Sequence, residues 1–326
     1  MNKIGFVISH KNNEKRRALL PKELKRIKNV DHLYFEKGYG ESLGIGDDEY
    51  AALGANIVSR KDALDCDTIV DVKLGDADYL TEIEGQRILV GWAHTVQNVD
   101  FTSAVLNAGH TVIAWEEIYD KGRYIFYRNR EIAGEAAILH GFRFSGKMPY
   151  DAKIAIIGNG QVGKGAYMIL AGLGGGVNTD IYARKDETRF RKNLGNYDVI
   201  VNCVMWDTHR TDRLIYKEDL KRMRPGTLII DVSCDPHLEI ETSHPTTIDN
   251  PVYEVDGILH YAVDNTPAMY PYTVSKILSK GFVPYVDALV TEDYPENMKK
   301  AMVIEKGHIL DKNIVDFRIA RGLFCK

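Results

Sequence analysis

A glycine-rich segment near the middle of the chain contains residues suited to binding a phosphate group. Gly158, Gly160 and Gly163 follow a short apolar run, and apolar residues then recur at helical spacing. This pattern is typical of a turn between a buried strand and a helix. Gly158 allows the tight turn, Gly160 leaves room for a pyrophosphate, and Gly163 allows the helix to pack closely on the strand. The pattern indicates a dinucleotide site, although a plain strand-to-helix turn also uses glycines for packing.

The start of the predicted helix and the end of the next predicted strand add to this site. Backbone N–H groups at Gln161 and Val162, at the positive end of the helix dipole, are suited to an anion. NAD-binding units usually place Asp or Glu at the end of the next strand to hold the ribose 2′-hydroxyl. This chain has Arg184 and Lys185 there, and a guanidinium holds a 2′-phosphate through two charge-assisted hydrogen bonds. We therefore expect NADP(H), with a solvated charge pair as the alternative interpretation.

Three further polar residues follow predicted strands in the N-terminal part of the chain. Arg16 lies in the loop after a strand at 4–9, Lys73 ends a strand at 68–73, and His94 follows a strand at 87–92. Because α/β domains bind ligands outside the carboxyl ends of their strands, these side chains are candidates for substrate binding. Arg clamps a carboxylate with two hydrogen bonds, and His transfers protons near neutral pH. Each also has a structural interpretation as a solvated charge or a buried histidine, and Arg17 competes with Arg16.

These residues lie in a chain in which predicted strands alternate with predicted helices, an order typical of βαβ units and parallel sheets. We expect an α/β fold of two Rossmann-like domains with parallel sheets. A helix predicted at 270–278 carries the chain back to the first domain, so the nucleotide-binding domain is inserted in the substrate domain. The predicted bounds are 134–267 for the NADP-binding domain and 1–133 plus 268–326 for the substrate and catalytic domain.

Composition excludes several other classes of protein. The 326 residues are enough for two domains with their own cores. The net charge of -4 favours neither nucleic acid nor an anionic membrane. No apolar run approaches the length of a membrane span, and the N-terminus is too polar for a signal peptide. The four cysteines are scattered, so we expect thiols in a reducing cytoplasm and no metal site.

Motifs along nearly the whole chain resemble the alanine dehydrogenase and transhydrogenase family. They are KRRALLP at 15–21, DVKL at 71–74, GWAH at 91–94, GNGQVG at 158–163, DVSCD at 231–235, ETSHPTT at 241–247 and VDGILHYAVDNTP at 255–267. Within the family, ISHKNNEKRRALLP at 8–21 and GNGQVGKGA at 158–166 most resemble the N(5)-(carboxyethyl)ornithine synthases. Those enzymes condense pyruvate with a side-chain amine of ornithine or lysine and reduce the imine with NADPH.

The resemblance implies a role for each candidate residue. Arg16 and Lys73 match substrate-binding residues, and His94 matches the general acid/base. Asp235 matches an aspartate that faces the nicotinamide and the substrate, and Asn265 matches an asparagine near the nicotinamide. Such a condensation needs a cationic clamp for the keto acid, a proton donor near its carbonyl, and the nicotinamide beside the imine carbon. By analogy alone, we also expect a homo-oligomer.

The sequence departs from the family pattern at two places. Pro236-His237 stands where alanine dehydrogenases carry a glycine pair, so we expect a different loop shape beside Asp235. The segment 123–131 has no clear counterpart, and Arg128 or Arg130 within it is a candidate for binding the amino acid's carboxylate. Two other functions remain open: an alanine-dehydrogenase-like enzyme that uses ammonia, and a non-catalytic NADP-binding or redox-sensing protein.

Overall fold

The computed structural model describes residues 1–207, 210–234 and 237–323. The chain forms two compact units, which are Met1–Phe126 with Pro271–Lys326, and Tyr127–Tyr270. We call them unit 1 and unit 2. Each contains a mainly parallel sheet with helices, which confirms the expected α/β class. Over the described residues, every helix is too short or too polar to cross a membrane.

The N-terminal part of unit 1 alternates short strands with short helices. In chain order its elements are β1 (Ile4–Phe6), α1 (Pro21–Leu24), β2 (Leu33–Glu36), α2 (Asp47–Ala51), β3 (Asn56–Val58), α3 (Arg60–Leu64), β4 (Thr68–Val70), β5 (Ile88–Gly91), α4 (Val99–Ala108), β6 (Thr111–Ala114), β7 (Tyr119–Asp120) and β8 (Arg123–Tyr124).

Unit 2 is one continuous segment of the chain. Its elements are α5 (Tyr127–Gly141), β9 (Ile154–Ile157), α6 (Gln161–Gly172), β10 (Thr179–Tyr182), α7 (Glu187–Lys192), β11 (Val199–Asn202), β12 (Leu228–Asp231), β13 (Val252–Val255) and β14 (Ile258–Tyr261). Strands β13 and β14 form an antiparallel hairpin around Asp256-Gly257, a dipeptide typical of tight turns. Both faces of the sheet are covered, since Ile156 packs in one core with Leu170 and Ile157 packs in another with Phe190.

The C-terminal part of the chain returns to unit 1. It contains α8 (Pro271–Thr291), α9 (Glu296–Lys300), β15 (Met302–Glu305), β16 (His308–Ile309) and α10 (Lys312–Ile319). Helix α8 extends well beyond the expected end at 278 because Phe282, Val286 and Leu289 continue its buried face. Strand β15 pairs antiparallel with β6, and β16 pairs antiparallel with β15. The sequence pattern did not predict this antiparallel extension of the sheet.

The order of strands reverses once within each sheet. The order in unit 1 is β16-β15-β6-β5-β4-β1-β2-β3, and the order in unit 2 is β10-β9-β11-β12-β14-β13. In unit 1, β2 and β3 lie on one side of β1, and β4, β5 and β6 lie on its other side. In unit 2, β10 lies on one side of β9, and β11, β12 and β14 lie on its other side. The strand order therefore reverses between β1 and β4 in unit 1, and between β9 and β11 in unit 2. In open parallel sheets, ligands bind outside the carboxyl ends of the strands at such reversals. Both sheets therefore have the topology of Rossmann-like folds.

Helices α5 and α6 in unit 2 pack more closely than side chains would allow. A Cβ atom on Gly134 would lie 2.0 Å from the carbonyl oxygen of Val162, and one on Gly165 would lie 1.9 Å from that of Glu131. No real Cβ atom approaches backbone this closely, so both positions require glycine. This contact fixes α6, and the N-terminus of α6 follows the glycine-rich turn.

We predict that Gly165→Ala lowers the free energy of unfolding by about 1–3 kcal/mol, the usual cost of overpacking. Gly172→Ala is the matched control, because it lies at the end of the same helix and a Cβ there meets no atom within 4 Å. The control should be neutral or slightly stabilising, since alanine favours a helix. Denaturant unfolding measures both. A Gly165→Ala variant as stable as the control would contradict the close packing.

Candidate functional site

Unit 2 contains a cavity of about 510 Å³ at the carboxyl ends of its central strands. Gly158, Gly160, Gln161, Val162 and Arg184 belong to its wall. These are five of the residues predicted to bind a cofactor. The cavity lies at the reversal between β9 and β11, where a parallel sheet offers a crevice.

The three glycines of the turn have different surroundings. Gly158 has φ +98°, and a Cβ atom there would lie 2.6 Å from the carbonyl oxygen of Cys203. A Cβ atom on Gly163 would lie 2.0 Å from the carbonyl oxygen of Gly158. The positions of Gly158 and Gly163 therefore exclude a side chain. A Cβ atom on Gly160, by contrast, meets nothing within 4 Å, so open space lies where the backbone N–H groups of α6 begin.

Arg184 and Lys185 follow β10 in a short 3-10 helix at Arg184–Asp186, and both side chains are exposed. The Nη2 atom of Arg184 lies 4.0 Å from the Oδ2 atom of Asp207. A 2′-phosphate at this end of the cavity would therefore meet a cation with a carboxylate beside it. Asn265 follows β14 with φ +67°, and begins a short 3-10 helix at Thr266–Met269.

Sequence reasoning missed a charged cluster in the cavity wall. Arg210 donates to both carboxylate oxygens of Glu187, at 2.9 and 2.8 Å, and its guanidinium lies 4.2 Å from the ring centroid of Trp206. Arg210 also donates to Asp212, at 2.8 and 2.6 Å. A bidentate guanidinium stacked on an aromatic ring is a rigid group. The only sequence signal was the position of this segment after a predicted strand.

The two arginines proposed for the amino acid's carboxylate have different environments. Arg130 lines the cavity of unit 2. Arg128 donates from Nη1 to Glu131 at 2.7 Å and to Glu135 at 2.6 Å. The two carboxylates around Arg128 make it a poor candidate for binding an anionic ligand.

Unit 1 brings three predicted residues to one edge of its sheet. Strands β1, β4 and β5 are neighbours and run parallel, and Arg16, Lys73 and His94 lie in the segments that follow them. The loops after β4 and β5 are joined, because the backbone N–H of Gly75 donates to the carbonyl oxygen of Trp92 at 2.8 Å. This edge of the sheet, at the reversal between β1 and β4, is the candidate substrate site of unit 1.

Arg16 is buried and held in one orientation. Its Nε and Nη2 atoms donate to the two carboxylate oxygens of Glu14, at 2.8 and 2.5 Å. The guanidinium lies 5.0 Å from the ring centroid of Trp92, whose Nε1 donates to the hydroxyl of Tyr124 at 2.8 Å. Its neighbour Arg17 instead donates to the carbonyl oxygens of Tyr39 and Arg16 and to the hydroxyl of Ser42.

Lys73 lies beyond the strand that was expected to end at it. Strand β4 stops at Val70, and the Asp71 carboxylate accepts the backbone N–H of Lys73 at 2.9 Å, which turns the chain. Burial raises the pKa of Asp71 to about 6. The Lys73 side chain is buried, and its Nζ atom lies 3.6 Å from Oδ2 of Asp76, so its charge faces a carboxylate.

His94 is partly buried and has φ +50°. Its backbone N–H donates to Oε1 of Glu116 at 2.5 Å, and its carbonyl oxygen accepts the N–H of Asn98 at 2.9 Å. Asn98 caps helix α4 by accepting the N–H of Phe101. The histidine is therefore fixed between the end of β5 and the start of α4.

Asp235, the remaining predicted catalytic residue, lies outside the described residues. Within the described part of the chain, no group of three or more His, Cys, Asp or Glu side chains is arranged to hold a metal ion. Cys66, Cys203 and Cys234 are buried and form no disulfide with one another, and burial raises the pKa of Cys66 to about 12.

Comparison with known proteins identifies the family. Residues 8–126 match the model "Alanine dehydrogenase/PNT, N-terminal domain", and residues 177–316 match "Alanine dehydrogenase/PNT, C-terminal domain". The chain is 35% identical over 295 residues to the N(5)-(carboxyethyl)ornithine synthase of Lactococcus lactis subsp. lactis, covering 85% of this chain and 92% of the relative. It is 31% identical over 341 residues to the alanine dehydrogenase of Methanococcus maripaludis, covering 93% and 91%.

A solved structure of L-alanine dehydrogenase has the same fold. It superposes with a TM-score of 0.82 at 24% identity, over 97% of this chain and 98% of that chain. This likeness confirms the expected fold of two Rossmann-like domains. The chain therefore belongs to the alanine dehydrogenase/PNT family of pyridine-nucleotide-dependent oxidoreductases.

Proposed function

We propose that this chain catalyses the NADPH-dependent reductive condensation of pyruvate with the side-chain amine of ornithine or lysine. The product is an N-(1-carboxyethyl) amino acid. The observation that carries the proposal is that Arg16, Lys73 and His94 lie in the segments that follow three neighbouring parallel strands. It is supported by the 35% identity to a relative named N(5)-(carboxyethyl)ornithine synthase.

In this proposal, Arg16 and Lys73 bind the keto acid. Glu14 accepts from Nε and Nη2 of Arg16 and fixes the orientation of the guanidinium, which in this proposal binds the carboxylate of pyruvate. Lys73 binds the same carboxylate or polarises the carbonyl. The contacts of Arg17 with backbone carbonyls favour Arg16 as the substrate-binding arginine.

His94 acts as the general acid and base in this proposal. It protonates the hydroxyl of the carbinolamine, so that water leaves and the imine forms. Imidazole suits this step because its ordinary pKa lies near neutral pH. The assignments of Asp235 and Asn265 to the nicotinamide end rest on the family resemblance.

The cavity of unit 2 is the proposed binding site for the dinucleotide, which supplies the hydride when bound. The open space at Gly160 and the N-terminus of α6 fit a pyrophosphate. Arg184 and Lys185 fit a 2′-phosphate, because both are exposed cations at the end of β10.

We also propose that two copies of the chain associate through exposed apolar residues of unit 2. These are Tyr150, Tyr167, Met168, Leu173 and Val177.

A second candidate function is the reductive amination of pyruvate with ammonia. The 31% identity to the alanine dehydrogenase of Methanococcus maripaludis favours it. The two functions share the keto acid and the hydride donor and differ only in the amine.

The loss of NADPH absorbance with pyruvate distinguishes these functions. We predict turnover with ornithine or lysine and none with ammonium. NADH in place of NADPH should support much slower turnover, because it lacks the 2′-phosphate. Turnover with ammonium alone would assign the chain to the second function. Tight NADPH binding without turnover on any amine would favour a non-catalytic protein.

We predict that His94→Ala lowers kcat by about 100-fold or more, the usual contribution of general acid–base catalysis. His308→Ala is the matched control, since His308 is an exposed histidine of the same unit. Steady-state kinetics of both variants measures the effect. Full turnover of His94→Ala would reject the acid/base assignment.

We predict that Arg184→Ala weakens NADPH binding by about 10- to 100-fold, the equivalent of one charged hydrogen bond. Binding of NADH should change little, because NADH has no phosphate there. Arg224→Ala is the control, since Arg224 is also exposed but precedes β12 at the opposite edge of the sheet. Fluorescence titration gives each Kd. An equal loss for both nucleotides would contradict a 2′-phosphate contact.

A further inference from the structure

The side chain of Glu116 reaches from one strand end of unit 1 to the next. It belongs to a short 3-10 helix at Trp115–Glu117, directly after β6. Its Oε1 atom accepts the backbone N–H of His94 at 2.5 Å, and its Oε2 atom accepts that of Ala93 at 3.3 Å. Strands β5 and β6 are paired with Gly91 opposite Ala114, so the sheet sets the distance that the carboxylate spans.

These two hydrogen bonds hold His94 in an unusual conformation. Its φ of +50° lies in the left-handed region, which residues with a Cβ atom seldom adopt and which costs about 1 kcal/mol or more. Such a conformation persists only where the surrounding structure enforces it. The backbone conformation of His94 also fixes the direction in which its imidazole leaves the chain.

We propose that Glu116 is the positioning residue for His94. Its carboxylate fixes the amides of residues 93 and 94 and thereby holds the imidazole where a proton must be transferred. The role in turnover rests on the proposed function of His94, whereas the hydrogen bond itself does not. Burial raises the pKa of Glu116 to about 6, which agrees with an enclosed carboxylate.

Backbone NMR tests the contact independently of any substrate. In protein labelled with 15N-histidine, the His94 amide proton should resonate far downfield, because a carboxylate accepts it at short distance; His94→Ala assigns it by loss of the peak. Glu116→Ala should move this resonance upfield, and Glu117→Ala, a change at the exposed neighbouring residue, should not. An unchanged His94 resonance in Glu116→Ala would overturn the proposal.

Kinetics tests the role in turnover, using pyruvate with ornithine or lysine. Glu116→Ala should lower kcat by about 10- to 100-fold, the usual effect of displacing a catalytic group by about 1 Å. The KM for NADPH should stay unchanged, because the proposed dinucleotide cavity lies in unit 2. Glu116→Gln retains an oxygen that can accept the backbone N–H of His94, so this variant should recover most of the wild-type kcat. Glu117→Ala should have the kcat of the wild type.

A double variant separates positioning from a general structural effect. If Glu116 acts through His94, then Glu116→Ala should cost nothing further in the His94→Ala background. A full additional loss there, or wild-type kcat in Glu116→Ala alone, would overturn the proposal. If Glu116→Ala does not fold, Glu116→Asp replaces it, because it keeps the charge but withdraws it from the amides. Full activity of His94→Ala would instead reject the proposed function of His94. The NMR experiment would then remain as the test of the hydrogen bond between Glu116 and the His94 amide.

Discussion

Parallel strand direction is the constraint on which both candidate sites depend. Because β1, β4 and β5 run the same way, segments far apart in sequence meet at one edge of the sheet. The same rule places the glycine-rich turn after β9 beside the segment after β11. Neither site exists in any single segment, so the pairing of strands must be complete before the side chains come together.

Carboxylates accompany the cations at these sites. Glu14 binds Arg16, Asp76 faces Lys73, and Asp207 lies 4.0 Å from Arg184. A buried guanidinium without a partner would be costly to desolvate. The pairing with Glu14 offsets part of that cost and also fixes the orientation of the Arg16 guanidinium.

Local signals in the sequence predicted much of the fold. The apolar run, the glycines and the helical spacing after them are all within one βα unit, and Asp256-Gly257 marks a hairpin that the structure contains. The α/β alternation also predicted that Arg16, Lys73 and His94 follow strands of a parallel sheet, and the structure has β1, β4 and β5 as parallel neighbours. Features that depend on distant partners were not predictable. Glu116 contacts His94 only because β6 lies beside β5. Strand β15 pairs with β6 although all residues of unit 2 lie between them in the sequence.

The pairing of β15 with β6 also affects the order in which the chain folds during synthesis. Strand β6 emerges from the ribosome early, but its antiparallel neighbour β15 follows only after all of unit 2 has been made. Unit 2 is one continuous segment and has every strand of its sheet available before then. Domains generally fold as units as they emerge. The nascent chain therefore carries a unit 2 with all its strands while the β6 edge of unit 1 is still unpaired, and such an edge is open to pairing with other chains.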